Sequence, residues 1–444
     1  MKLETAKSLA LTVLVGVSLL VTLGLWNFKP DYPSVNNQIE VDMDIGGREV
    51  TQKDIVEPES IMFHQFNNHY GFKNPQKRQS LYRDMQSWVL YNFGIKESNG
   101  APSNDYQVEL IFPDALSMGI VKTIFKLNEE DTFLPDWSFK RMFITFDLDS
   151  KALKVHFLSE NEQKQAIASV NNAEKYDLLW QYVTTHKDLK EYVTFDDSDS
   201  LVYIPKDSMK MTQRSFTVTT TDTDQLVDAL FNKPSIVSRS NIGEPYFTDS
   251  ISGMRLRHDG KLMELTSPQV TSNDERMNNL DVLKYSVDNI NEHMGWTGTS
   301  NVEEGWNSEY NFVHMDAASN RLTYRMFYNG YPVYNSNDLT KIEQEWHNLD
   351  LYQYQRPLFS LNNSLGGESV ELQSGLGVTS YLQNHPKYKV DDIIDIKVGY
   401  DLSVQQSASI QFYVKLEPAW YINENGTWKK IDFGDEIPIN KGGS

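Results

Sequence analysis

The chain has 444 residues, a formal net charge of −20 and no cysteine. A balance this acidic disfavours nucleic acid, whose binding depends on Lys and Arg neutralising phosphates, and it argues against a body lying flat on anionic lipid. Without cysteine there are no disulfides, no thiolate metal sites and no cysteine nucleophile.

The first feature along the chain is an apolar run. Ser8 to Phe28 is 21 residues without a charge. At about 1.5 Å per residue it reaches roughly 31 Å, enough to cross a hydrocarbon core of about 30 Å. Twelve of these residues are Leu, Val or Phe, a gross insertion gain of roughly −4 to −7 kcal/mol. A cleaved signal peptide has a shorter apolar region ending in small residues, whereas this run closes on Leu25, Trp26, Asn27, Phe28, Lys29 and Pro30. The expectation is an uncleaved, single-pass anchor in the cell membrane. Lys2, Lys7 and the N-terminal amine outweigh Lys29, which puts residues 1–7 in the cytoplasm and the bulk of the chain outside. Ser8, Thr12 and Gly16 recur every four residues, and Ser18 and Thr22 repeat that spacing. Small residues so placed let a partner helix approach closely. They are also common in any spanning helix, and the pattern alone leaves both readings open.

Beyond the anchor, Lys29 to about Asp54 is polar and extended, a stalk into the first outer domain. Leu81, Met85, Trp88, Val89 and Phe93 fall on one side of a helix spanning Arg78 to Phe93, a core stripe rather than a cofactor box. A strand follows at Gln107–Phe112, then a hairpin from Met142 to Leu158 turning at Asp149-Ser150. Tyr176 to Thr185 reads as a helix with Leu178, Leu179, Tyr182 and Val183 inward. A shift in composition near Asp196-Asp197-Ser198-Asp199 marks the edge of this domain. After it, one unit recurs: a helical stretch, then strands joined at tight turns. Thr223–Phe231 precedes strands meeting at Asp259-Gly260; Glu275–Met294 precedes strands meeting at Asn329-Gly330; Ser369–Asn384 precedes strands meeting near Asn425-Gly426. Asp-Gly and Asn-Gly supply the positive φ that type I′ turns require. Repetition of this unit predicts α+β domains with antiparallel sheets. The expected organisation is a stub (1–7), a transmembrane helix (8–28), an N-terminal outer domain (29–205), a central α+β domain (206–335) and a C-terminal α+β domain (336–444).

No motif carries chemistry. Walker, H-E-x-x-H, G-x-S-x-G and S-x-x-K patterns are all missing. Gly375-Leu376-Gly377 begins a dinucleotide fingerprint, but Ser380 stands at its third position and no strand clearly precedes it. Asp196, Asp197 and Asp199 lack the glycine and distal glutamate of an EF-hand. His64 and His69, near Glu57 and Glu59, are a weak metal hint; no two histidines share the helical spacing of a zinc site. His156 and His314 fall in strands, packed or half-exposed. Sixty-one carboxylates make some acidic pair inevitable, so a glycosidase dyad cannot be argued. The expectation is no enzyme, no catalytic residue, no cofactor and no metal. Tyr328, Tyr331, Tyr334, Trp346, Tyr352 and Tyr354 form the densest aromatic run, a core or a recognition groove.

The opening stretch from Glu4 to Tyr32 resembles the start of the YycH proteins of Gram-positive bacteria. LFNKPSIVSRSNI (Leu230–Ile242), SGMRLRHDGKLMELTSP (Ser252–Pro268) and KLEPAWYI followed by Asn-Gly-Thr-Trp (Lys415–Trp428) extend the likeness over essentially the full length, in order and spacing. The resemblance implies three outer domains, the last two similar to each other and to the outer part of YycI. It implies a non-enzymatic accessory regulator of the YycG (WalK) sensor histidine kinase, acting with YycI through transmembrane-helix and outer-domain contacts to tune control of cell-wall metabolism. No catalytic residues come with it. Ser8, Thr12, Gly16, Ser18 and Thr22 are the expected partner-helix contact region. The competing reading is a membrane-tethered module that binds cell-wall fragments or peptides in an aromatic groove, with an extracellular ligand that the sequence does not identify.

Overall fold

The structure, a computed structural model, describes residues 45–434 apart from 130–131, 196–200, 232–237, 241–243, 250, 271–276, 302 and 407–411. The expected stub, anchor and helix-contact residues Ser8, Thr12, Gly16, Ser18 and Thr22 lie outside the described residues. Among the described residues no helix is long and apolar enough to cross a membrane.

The first sheet comprises β1 (Ser60–Gln65), β2 (Asn68–Phe72), β3 (Val89–Glu97), β4 (Tyr106–Ser117), β5 (Lys126–Leu127), β6 (Ser138–Asp147), β7 (Ala152–Ser159), β8 (Lys164–Val170), β9 (Leu189–Phe195) and β10 (Val202–Pro205). Their spatial order is β10-β9-β2-β1-β4-β6-β7-β8-β3-β5. Period-two patterning sets their register: Leu153, Val155 and Phe157 of β7 are buried, while Lys154 between them is exposed. The expected hairpin is β6–β7, and the expected strand lies within β4.

Helix α1 (Pro75–Met85) is opened by Asn74, whose side chain accepts from the Gln76 N–H, and by proline at its first position. The long helix expected to Phe93 ends here. Val89 to Phe93 belong to β3, which pairs with β8. Leu81, Met85, Trp88, Val89 and Phe93 fit a helical stripe, but sheet pairing overrides the local period beyond Met85. Helix α2 (Ala173–Thr185) starts on the Asn172 side chain, which accepts from the N–H groups of Glu174 and Lys175, and it stops at His186 in the left-handed region. Tyr176, Leu179 and Val183 are its buried face, a burial worth about 5–9 kcal/mol before ordering costs. Leu178 and Tyr182 pack half-buried against the same core.

The second sheet comprises β11 (Met209–Thr220), β12 (Ser238–Ser240), β13 (Tyr246–Thr248), β14 (Gly253–Arg257), β15 (Leu262–Thr266), β16 (Ser300–Asn301), β17 (Trp306–Asp316), β18 (Arg321–Tyr328), β19 (Tyr331–Tyr334), β20 (Lys341–His347), β21 (Asp350–Pro357), β22 (Phe359–Leu372), β23 (Ile393–Gln405), β24 (Tyr413–Glu424) and β25 (Thr427–Lys430). Its main path runs β12-β13-β14-β15-β21-β20-β18-β19-β23-β24-β11-β22, with β17 on β18 and β25 on β24. Among the described residues only β3–β5 and β19–β23 pair parallel. The architecture is thus α+β with mostly antiparallel sheets, as the repeated units predict. Three hairpins turn where expected, with positive φ at Asp259 and Gly260, at Asn329 and Gly330, and at Asn425 and Gly426. Strands β20 and β21 pair with β18 and β15, so the sheet runs unbroken across residue 335.

Three further helices accompany this sheet: α3 (Thr223–Leu230), α4 (Asn279–Asn291) and α5 (Gly375–Asn384). Each opens on a side-chain cap, from Asp222, Asn278 and Ser374 respectively. The helix expected from Ser369 starts later, because Ser369 to Leu372 extend β22 against β11. A strand therefore does precede Gly375-Leu376-Gly377, but an antiparallel one. The parallel strand–helix unit that a dinucleotide fingerprint needs is not formed there.

Candidate functional site: the junction of the two sheets

The described residues belong to one compact unit, and polar side chains fasten the two sheets together. Lys397 of β23 reaches Glu59, just before β1, at 2.5 Å and Asp395 at 2.7 Å. Its ammonium also lies 4.7 Å from the centroid of the Trp428 ring. Burial works to lower the Lys397 pKa, but the charges of Asp395 and Glu59 outweigh it and hold the lysine above its ordinary value. Arg78 of α1 spans the same seam, donating to the carbonyls of Glu59 at 2.5 Å and Gly330 at 3.1 Å. Gly330 has φ +77°, and a Cβ there would meet Pro75 Cβ at 2.6 Å. The β18–β19 turn thus needs glycine both for its backbone and for this close approach.

A second fastening uses two buried carboxylates. The Gln79 side-chain amide donates to Glu57 at 2.9 Å and also to Glu309 of β17. Asn311 donates to Glu57 at 3.4 Å, and Arg83 stands 3.7 and 3.9 Å from the two acids. Burial, and then the charge of Glu309, push the Glu57 pKa above its ordinary value. A third fastening joins β4 to β17: Asp114 accepts from His314 at 2.7 Å and from the Met315 N–H at 2.8 Å. Burial raises the Asp114 pKa, but these hydrogen bonds and that of the Ala115 N–H reverse it, leaving it lowered. The Asp114 hydrogen bond raises the pKa of His314.

These contacts hold the two sheets together. The carboxylate pair Glu57 and Glu309 sits under Gln79 and Asn311. The cavity beside it, lined by Arg48, Asp54, Trp296 and Asn311, measures about 10 Å³. That is the room of a single water, far below what a sugar ring needs.

His64 and His69 face each other across β1 and β2, their Nδ1 atoms 2.8 Å apart. His64 Nε2 lies 3.0 Å from Glu109, which also accepts from Arg141 at 2.6 Å and from the Tyr203 hydroxyl at 3.1 Å. Burial raises the Glu109 pKa, and the His64 hydrogen bond and the Arg141 charge more than reverse it. The weak metal hint thus resolves into a hydrogen-bond network. Its acid is Glu109, while Glu57 and Glu59 serve the junction. No group of three His, Asp or Glu among the described residues is arranged to hold a metal.

The remaining candidates divide as follows. Tyr328, Tyr334, Trp346 and Tyr354 are buried, and Tyr331 and Tyr352 half-buried. The dense aromatic run thus chiefly fills a core. His156 is half-buried between Thr145 and Gln165, each at 3.0 Å, and His314 lies in β17 as a junction residue. Asp196, Asp197 and Asp199 lie outside the described residues. Sequence reasoning missed Gln79, Asp114, Glu309 and Lys397. Their partners lie some two to three hundred positions away, and no local spacing announces such pairs.

The profile described as YycH protein, N-terminal domain, matches residues 4–188, and that described as YycH protein, C-terminal domain, matches residues 199–436. The two-component system WalR/WalK regulatory protein YycH of Bacillus subtilis (strain 168) is 24% identical over 467 aligned positions, covering 99% of this chain and 97% of that protein. The crystal structure of YycH from Bacillus subtilis superposes with a TM-score of 0.71 at 20% identity, covering 88% of this chain and 99% of that one; at this identity the likeness speaks for the fold. With both halves matched end to end and the same fold beneath them, the chain belongs to the YycH family.

Proposed function

We propose that this chain is a non-enzymatic, membrane-anchored regulator of a YycG (WalK) sensor histidine kinase, working beside a YycI protein to tune control of cell-wall metabolism. The observation that carries the reading is the end-to-end match to a WalR/WalK regulatory protein. The uncharged run Ser8–Phe28 and the basic residues before it support an anchor with the N-terminus inside and the bulk of the chain outside. On this reading the signal passes through the helix or through another protein. Ser8, Thr12, Gly16, Ser18 and Thr22 are the proposed contact face. A division of the outer part into three α+β domains belongs to the same reading.

A bound helix shifts a kinase only by its differential affinity for the two signalling states, and a coupling of about 1–3 kcal/mol suffices. The test exchanges residues 8–28 for an unrelated spanning helix and follows kinase output in cells. Output is expected to change while the outer body keeps its fold. Unchanged output would remove the helix from the mechanism.

A further inference from the structure

One end of the first sheet carries an aromatic ladder that begins in the core at Tyr176 and ends in the open at Phe66. Register brings the β1–β2 turn, the start of β4 and the β6–β7 turn to that end, through the pairs Gln65–Tyr106, Gln107–Thr145 and Asp147–Ala152. There Phe66, Tyr106, Trp180, Phe146 and Tyr176 form a ladder with successive ring centroids 5.4, 5.1, 5.2 and 5.4 Å apart. Phe66 is 58% exposed and Leu148, in the neighbouring turn, 68% exposed. Phe66 also has φ +53°. It sits first in a two-residue turn between Gln65 and Asn68, where glycine is the ordinary residue. A bulky side chain in the left-handed region costs about 1–2 kcal/mol, which the area it covers against the Tyr106 ring roughly offsets. More than half of the side chain is nonetheless left open to solvent.

The surroundings define what would cover it. Asp105, Asp149 and Asp177 are exposed around the ladder, against Lys151 in the same turn as Asp149, while Asp147 holds Lys154 at 3.3 Å. Tyr176 and Trp180 stack at 15°, within the core end of the ladder. Towards the exposed end the rings are tilted, by 58° for Phe66–Tyr106 and 52° for Tyr106–Trp180, and offer no flat platform there for successive sugar rings. Ring faces and carboxylates together suit ammonium or guanidinium groups carried on apolar stems. We propose that this end of the first sheet is a docking surface for a basic, apolar-bearing segment of a partner protein, with Phe66 as its anchor. The inference goes beyond the kinase reading and stands whichever protein supplies the segment.

The test uses the full chain in nanodiscs of zwitterionic lipid. Fluorescent short peptides alternate lysine with leucine, glutamate with leucine, or lysine with serine, and empty nanodiscs supply the background. The lysine–leucine peptide is expected to bind at least about tenfold more tightly than either control, a difference of about 1.4 kcal/mol. Added salt and the double variant Asp105→Asn/Asp149→Asn should each weaken it. Phe66→Asn should weaken it about tenfold while leaving the melting temperature equal or higher, because asparagine tolerates positive φ. Equal binding of the three peptides, binding indifferent to Phe66→Asn, or a lowered melting temperature for that variant would overturn the proposal. Binding of chitotetraose that Phe66→Asn abolishes, with the lysine–leucine peptide inert, would replace it with a sugar site.

Discussion

Two aromatic regions of this molecule meet opposite fates. In the second sheet, Tyr328, Tyr334, Trp346 and Tyr354 lie in strands with a paired neighbour on each side or a covering layer, and they are buried. At the end of the first sheet, Phe66 stands in a turn where, among the described residues, no strand or helix closes over it. The denser run in the sequence is the core, and the sparser set, scattered over more than a hundred residues, is the one that reaches the surface, at Phe66. Density of aromatic residues therefore says little about recognition. What decides is whether the backbone that carries them is flanked inside a sheet or ends at its rim.

The sharpest way to break that contrast is to truncate the buried set. Tyr354 is fully buried, and its hydroxyl accepts from Arg356 at 3.0 Å and bonds His293 at 3.1 Å. Tyr354→Ala is expected to cost about 3–5 kcal/mol, through the cavity and the polar groups it strands. A denaturant midpoint that hardly moves would mean that this face is not the core described. The junction comes next. Lys397→Met removes the cation shared by Glu59 and Asp395 and should cost about 1–3 kcal/mol, since it strips two half-buried acids of their neutralising charge. Recovery on adding Glu59→Gln would identify the unpaired charge as the cause.

The smallest effect concerns pH. The raised His314 pKa means that its link to Asp114 contributes fully below 6.5 and fades as pH rises through the folded value. The lowered Asp114 pKa means that the same link contributes above 3.8 and fades as pH falls through its folded value. The raised Glu57 pKa has the opposite sense for an acid: its contribution is full below 4.5 and is lost as pH climbs. On both counts the junction should be firmer in mild acid than in alkali. His314→Ala should flatten the dependence of the unfolding midpoint above 6.5, and an unaltered profile would assign that dependence to other groups.

The secondary structure was legible wherever local chemistry agrees with tertiary pairing. The three Asx-Gly turns and the β6–β7 hairpin are of this kind, because positive φ and period-two alternation leave few alternatives. The reading failed at Val89–Phe93 and at Ser369–Leu372, where short apolar or mixed segments satisfy a helical period and only a distant strand decides otherwise. The junction was illegible for a different reason. Glu57 and Glu59 stood out as neighbours of two histidines, yet their partners across the junction, Asn311 and Lys397, are far off in the chain. Contacts of that range are set by how the two sheets come together. Phe66 left a faint signal: a two-residue turn between strands that holds phenylalanine where glycine is usual.

Both regions serve a protein proposed to act by binding at a membrane, so the most direct measurement is which proteins co-purify with it. Co-purification should compare the intact chain with one lacking residues 1–28. The account predicts that the WalK-type kinase and the YycI protein accompany the intact chain, and that the kinase yield falls sharply without the anchor. Recovery of the intact chain with neither protein would contradict it.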